Sequence, residues 1–503
     1  MTVLAFPPTL PSNTVVGRLA AGAGPSEAIP IANVLSGYSQ FNTVAQAAAT
    51  SIPSTIQSVQ TLGYTTAGDG GGAYYSHAGG STPGGFQSAD GQWWQIVIAT
   101  VASVKQFGAF GDNTHDDTTA IQNAITAVGN ATGGTVFLPT GTYLVSATLN
   151  IAVSGINVVG TSAQSIINYT GNTVGIAITS GTPITNVTLR DLQISSTSTT
   201  NILLQTARAV NGINFERIYF QGGGTQVQLT SVSISAGGTF SVCIYQCTFN
   251  AAGVCGLSLH PVGYGLVQAI FVYGCAFFGY AQQALFQSSG TGIFIFANRF
   301  ERHLGTSITT PTIHLDNSTK VQILNNYFED EGNCACVELG SSLSNIELSG
   351  NIFQVLSSGP SSGTYSSAAA VNAVGNVLGL ALRSNHVSTG GTGSATAGAL
   401  YNLAASTVFA RNNGFDSGTA TWGFALSTSP ANIDIDGSHQ SPTPTTFSSG
   451  MQQVAGMLAR TQASYTNGAG AQAGTLTNAP AAGNPTKWIA INDNGTTRFI
   501  PAW

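Results

Sequence analysis

Seven of the nineteen acidic side chains in this 503-residue sequence fall between positions 300 and 350: Glu301, Asp316, Glu329, Asp330, Glu331, Glu338 and Glu347. Arg299, Arg302, His303 and His314 lie among them, so acids, cations and imidazoles converge in this one stretch. Glycoside hydrolysis needs two carboxyls, about 5–5.5 Å apart for retention or about 6.5–9.5 Å for inversion. Glu301, Asp316, Glu329 and Glu338 form the leading pool for such a pair, with Asp330 and Glu331 next. Neighbouring carboxylates repel, which raises one pKa and helps to make a general acid. The competing explanation is plain solubility. Acids at turns keep a rod in solution, and Glu301–Arg302 or Glu329–Arg299 contacts would be ordinary surface pairs.

Substrate contacts are expected from Arg299, Arg302, His303, His314, Tyr273 and Tyr327. Aromatic rings would stack on sugar faces; Tyr245, Tyr264, Tyr280 and Trp422 are further candidates, although aromatics in columns are more often packing. His260 reads as a loop bystander. A polysaccharide lyase is the second enzymatic reading. His303, His314 or a tyrosine would abstract the proton beside a uronate carboxylate neutralised by Arg299, Arg302 or Ca²⁺. Few bases make polyuronate binding less attractive. A third reading is an adhesin that grips without cleaving.

What must position these residues is a repeat. The segments IYQCTF (244–249), VYGCAF (272–277), IFANRF (295–300), ILNNYF (323–328) and LSGNIF (348–353) close on Phe residues 28, 23, 28 and 25 positions apart. One short strand per copy at that period signals stacked coils climbing one strand spacing, about 4.8 Å, per turn. The expected fold is all-β, a parallel β-helix stable only as a capped stack. Phe249, Phe277, Phe300, Phe328 and Phe353 should form an internal ladder, and Asn298, Asn326 and Asn351 an amide ladder beside it. The same alignment sets Glu301 beneath Glu329, and aligning TIHLDNS (312–318) on CVELGSS (336–342) sets His314 beneath Glu338. On the strand TIHLDNS (312–318), inward Ile313 and Leu315 leave His314 and Asp316 outward.

Composition agrees with a neutral rod. Charged residues are only 6%, against about 25% in an ordinary domain, and glycine numbers 62. A net charge of −6 leaves no footprint for nucleic acid, and no apolar run is long enough to cross a bilayer. The N-terminus lacks the pattern of a signal peptide. Cys247 and Cys275 occupy equivalent repeat positions and should be buried thiols. The CxC pair Cys334–Cys336 is too short for usual zinc spacing, so neither metal nor cofactor is expected.

Five regions are expected. Residues 1–40 read as an attachment peptide. Residues 41–103 read as a head region, with helix over 41–61 interrupted at Pro53 and a strand over 92–98. Residues 104–150 read as a cap, with Asp116 or Asp117 as N-cap of a helix over 118–128. Residues 151–430 carry the coils, and 431–503 a linker and small C-terminal module.

The cap segment, VKQFGAFGD (104–112), DDTTAIQNAI (116–125), GTVFLP (134–139) and GTY (141–143), resembles the N-terminal signature of the pectate-lyase-like β-helix superfamily. GYTTAGDGGGAYY and SADGQWW before it look like the particle-proximal part of bacteriophage tailspikes. NTVVGRLAAGAGPSEAI (13–29) is similar to peptides that open phage tail-fibre proteins. The resemblance implies a right-handed, single-stranded parallel β-helix in a homotrimeric tailspike that binds, and often cleaves, a bacterial surface polysaccharide. It also implies a virion protein, assembled in the host cytoplasm and joined to a tail or baseplate protein through its N-terminus. It transfers no catalytic residue, because the signature caps the rod. The NTD, DD, HG and RIK motifs of the polygalacturonase branch are not found over 150–430.

Overall fold

A computed structural model describes residues 38–206 and, with short gaps, 209–388, and beyond these chiefly strands. The expected attachment peptide (1–40) lies mostly outside the described residues. The described chain separates into a large unit, residues 1–448 with 455–457, and a small one, residues 449–454 with 458–503. The small unit contains an antiparallel ribbon of Lys487–Asp493 with Thr496–Ala502.

The large unit is dominated by three long sheets whose strands recur in strict rotation. Sheet A stacks thirteen strands from Val101–Ser103 to Asn432–Asp436, and sheet B thirteen from Asp112–Asp116 to His439–Ser441. Sheet C stacks eleven, from Leu149–Ile151 to Trp422–Leu426. One coil contributes one strand to each, in the order C, A, B, and every coil-to-coil pairing within these sheets is parallel. This is the expected parallel β-helix.

The corner from sheet A to sheet B explains the repeat. From Arg190 onward it is two residues long at every coil. Its first residue takes a left-handed φ, as at Gln246 (51°), Ala297 (54°) and Asn325 (52°), which turns the chain sharply at some conformational cost. The second residue points inward. There Asn326 Nδ2 donates to Ile295 O (2.9 Å) and to Asn351 Oδ1 (3.0 Å), while Asn326 Oδ1 accepts from Asn298 N (2.8 Å). The amide ladder extends two coils beyond expectation, through Asn385 and Asn413. Below Asn298 the column continues as Cys275 and Cys247, whose thiols reach Ile244 O and Phe215 O at 3.4 Å.

Two residues further on, Phe220, Phe249, Phe277, Phe300, Phe328 and Phe353 stack with centroids 4.4–5.0 Å apart. All are buried. Burying each ring contributes about 1.5–3 kcal/mol, and the stacking fixes the register.

The lower end is closed by the helix Thr118–Asn130, which buries Ala120, Ile121, Ala124, Ile125 and Val128. Asp117 stands at the N-cap position, but its carboxylate does not bond the helix. It accepts instead from Phe110 N (2.6 Å) and Gly111 N (2.9 Å), pinning the preceding turn, while Asp116 accepts from Thr118 N (3.0 Å).

The helix expected over 41–61 is a correction. Only Val44–Ala48 is helical, capped by Thr43. Ser58–Thr61 is a strand, paired parallel to Tyr38–Phe41 and antiparallel to Tyr74–Ser76. The helix stops at Ala48, ahead of Pro53, and burial of Val59 in this small sheet outweighs local propensity. The strand expected over 92–98 is Trp93–Ile96, with Trp94 in the core of that sheet.

Candidate functional site

The acidic band from 300 to 350 crosses all three faces of the coil. His314 and Glu338 lie on the strands Ile313–Leu315 and Val337–Leu339 of sheet C, with Asp316 just past the first. Arg299, Glu301, Tyr327 and Glu329 lie on Arg299–Arg302 and Tyr327–Asp330 of sheet B. Glu347 and Tyr273 lie on sheet A. Density in sequence therefore becomes two clusters and a separate column.

On sheet C, His314 and Glu338 are in direct register on consecutive coils. The imidazole lies between two acids: Nδ1 is 3.0 Å from Glu338 Oε1 and Nε2 is 2.8 Å from Asp316 Oδ2. The His314 side chain is only 16% exposed. Its pKa is raised, chiefly by the bond to Glu338 and with help from Asp316, against the opposing effect of burial. Burial pushes the Asp316 carboxyl up, but bonds from His314 and Ser341 outweigh it and leave the pKa below its ordinary value. Ser341 N donates to Asp316 Oδ1 at 2.7 Å, and Asn372 Nδ2 lies 3.5 Å from Glu338 Oε2. Because the two ring nitrogens face apart, hydrogen bonds of this length hold the accepting oxygens roughly 7–8 Å from each other. That separation falls in the span used for inverting glycoside hydrolysis, about 6.5–9.5 Å.

On sheet B, Glu301 and Glu329 are in register, as are Arg302 and Asp330. Arg299 pairs with Glu301 and lies 5.4 Å from the Phe278 ring centroid. The Tyr327 hydroxyl donates to Glu329 Oε2 (3.0 Å) and sits 2.8 Å from the Gln354 amide oxygen. Burial, then the bond to Glu329, pushes the Tyr327 phenol up. The carboxyls of this cluster are thus held by an arginine and a phenol, not by an imidazole.

Of the remaining candidates, Tyr273 stacks between Tyr245 and Phe296 on sheet A. His303, Glu331 and the side chains of Arg302 and Asp330 lie outside the described residues. Gly340 is a position of this cluster that sequence reasoning missed. A Cβ there would fall 2.0 Å from Asp316 Oδ1, so only glycine lets the carboxylate reach Ser341. The signal was present: in CVELGSS the glycine follows the rung that bears Glu338. Asn372 was findable in the same way, since it is one coil above Glu338 in register.

These features define a class: a parallel β-helix whose outer faces carry polar clusters fixed by coil register. Residues 101–298 match the family described as rhamnogalacturonase A/epimerase, pectate lyase-like. The enzymatically active domain of tailspike protein 2 from bacteriophage CBA120 aligns with a TM-score of 0.50 at 14% identity, covering 74% of this chain and 53% of that one. PfbA, a surface adhesin of Streptococcus pneumoniae, aligns with a TM-score of 0.49 at 13% identity, covering 80% of this chain and 98% of that one. Mannuronan C5-epimerase AlgE1 of Azotobacter vinelandii is 61% identical over 44 residues, 9% of this chain and 3% of that protein. The match thus spans a small fraction of that curated relative's length, and the likeness to the tailspike domain is one of fold. Among the described residues no helix is long and apolar enough to cross a membrane.

Proposed function

We propose that this protein is a phage or prophage tailspike that binds a bacterial surface polysaccharide and hydrolyses it, with Asp316 and Glu338 as the carboxyl pair. Its homotrimeric assembly and its attachment to the tail through the N-terminus belong to the same proposal. The observation that carries it is His314 held between the two acids on the outer face of sheet C. The surroundings support it. Connections from sheet B into sheet C lengthen beside this face, between Arg302 and Ile313 and between Val355 and Val371, whereas the A-to-B corner is two residues long from Arg190 onward. Variable connections beside a rigid face are where binding sites are commonly built.

An inverting mechanism gives the two acids different roles. Asp316, held ionised by its bonds, suits the base that takes a proton from water as the water oxygen attacks the anomeric carbon. Glu338, on the far side of the imidazole at 3.0 Å, is then the partner carboxyl that protonates the departing glycosidic oxygen, as a two-carboxyl mechanism requires. The cycle closes when the proton gained by Asp316 passes to His314 Nε2 and His314 Nδ1 gives one to Glu338, which restores both acids.

A lyase has weaker support. Tyr327 and Arg299 lie side by side in register on sheet B, the arrangement that a base and a carboxylate-neutralising cation require. The raised pKa of the phenol, however, works against a phenolate base. Incubation with host polysaccharide separates the readings. New reducing ends without ultraviolet-absorbing products support hydrolysis. Absorbing unsaturated products indicate a lyase, and intact polymer with retained binding indicates an adhesin.

A further inference from the structure

Sheet A carries a feature that the sheet C acids do not use. Its outward column reads Phe271, Phe294, Gln322, Glu347, Ala381 and Phe409 on successive coils. Phe271 and Phe294 stack at 4.9 Å with planes 5° apart, and beside them Tyr245, Tyr273 and Phe296 stack at 5.3 and 5.2 Å. Phe271 and Phe296 are 43% and 37% exposed, which is high for such rings. Parallel stacked rings cover one another's faces, so a free face remains only where a stack ends. The first stack ends at Phe294.

Above Phe294 the column turns polar and then small. Gln322 Nε2 donates to Glu347 Oε2 at 3.1 Å, and Arg383 Nη1 reaches Glu347 Oε1 at 3.4 Å. At the next rung Ala381 leaves room. A cavity of about 320 Å³ runs from Phe294 past Lys320 and Gln322 to Glu347 and Ala381. Lys320 and Asn345, both at left-handed φ (56° and 55°), form its other border. Phe294 to Ala381 is three rungs, about 14 Å.

We propose that this cavity binds a short oligosaccharide segment, on a face of the rod separate from the His314 cluster. An apolar ring face next to hydrogen-bonding groups is the chemistry that a pyranose needs. Its C–H face packs on Phe294, Glu347 accepts from hydroxyls, and Lys320 and Gln322 donate to hydroxyl or ring oxygens. Clefts that pair aromatic walls with a few placed polar groups are the usual form of small-ligand sites. The inference rests on the polysaccharide-binding part of the proposed function and not on the hydrolytic part.

The test uses the full chain carrying Glu338→Gln and an array of immobilised O-antigen and capsule oligosaccharides. Adding Phe294→Ala, or Ala381→Leu to fill the cavity, should each weaken binding about tenfold or more, with the unfolding midpoint and the oligomeric mass unchanged. Binding that is retained but insensitive to both substitutions overturns this site and leaves the polysaccharide-binding reading standing. No binding by the full chain overturns both. Weaker binding with a changed oligomeric mass also overturns the site, because copies of this chain then cover the face.

Discussion

His314 and Glu338 occupy the same register position on consecutive coils of sheet C, and Nδ1 of one lies 3.0 Å from Oε1 of the other. The relationship is enforced from inside the rod. Ile313 and Leu315 are buried beneath Val337 and Leu339, so neither outward side chain can shift without moving the core. Asp316, one residue past the strand, is then fixed by Ser341 of the next coil. Two coils thus hold three titratable groups with little freedom, as a preorganised site requires.

The imidazole makes stability depend on pH. The folded pKa of His314 lies above its unfolded value of about 6.5, so its contribution is complete below that value and is lost as pH rises through the folded pKa. Asp316 works in the opposite direction. Its folded pKa is lowered, so its contribution is present above about 3.9 and is lost as pH falls through the folded value. The unfolding midpoint should therefore decline on the alkaline side, and His314→Gln should remove that decline. A titration of the His314 Cε1 proton resonance with an apparent pKa at or below the free-histidine value contradicts this assignment.

Gly340→Ala tests the close approach. The new Cβ cannot coexist with Asp316 Oδ1 at 2.0 Å, so the carboxylate must leave Ser341. Cleavage should fall by about 10²-fold, the usual consequence of an ångström of misplacement, while oligosaccharide affinity changes little. An unchanged rate would show that Asp316 does not need this position.

The amide ladder predicts a graded response. Asn326→Ala leaves the Asn298 amide and Ile295 carbonyl unpaired inside the rod, and should cost about 2–3 kcal/mol. Asn326→Cys should cost less, because Cys275 already makes the equivalent contact with Ile244 O. Calorimetry of the two variants gives the order directly, and equal losses would contradict the equivalence.

Phe300 stacks at 4.8 Å on both Phe277 and Phe328. Phe300→Ala should cost about 3–5 kcal/mol through lost burial and the cavity left behind, measured as a fall in the unfolding midpoint. Phe300→Leu should restore most of it. A fall no larger than that from a surface substitution would mean that the column carries no load.

Much of this was legible in the sequence because a parallel in-register stack converts repeat alignment into spatial adjacency. The Phe spacing set Glu301 beneath Glu329, the match of TIHLDNS to CVELGSS set His314 beneath Glu338, and the strands pair that way. The division of the acidic band among faces was harder to read. Assigning a face depends on which residues turn the corners, and the left-handed positions are filled variously by Gln246, Gly274, Ala297 and Asn325, which share no side-chain type. Asp117 is the expected N-cap residue, but the use of its side chain was not legible. It stands where a cap belongs, while its carboxylate serves the turn at Phe110 and Gly111. At Ser58–Thr61, pairing with strands distant in sequence decided what local propensity could not.

The most direct test of the central claim is the rate of reducing-end release from host polysaccharide by four single variants. Asp316→Asn and Glu338→Gln should each lose about 10²-fold or more, the scale of a missing general acid or base, with binding retained. Glu301→Gln and Glu329→Gln, on sheet B, should stay near the wild-type rate. Loss in the sheet B pair with full activity in the sheet C pair would contradict the assignment and move the chemistry to the other face.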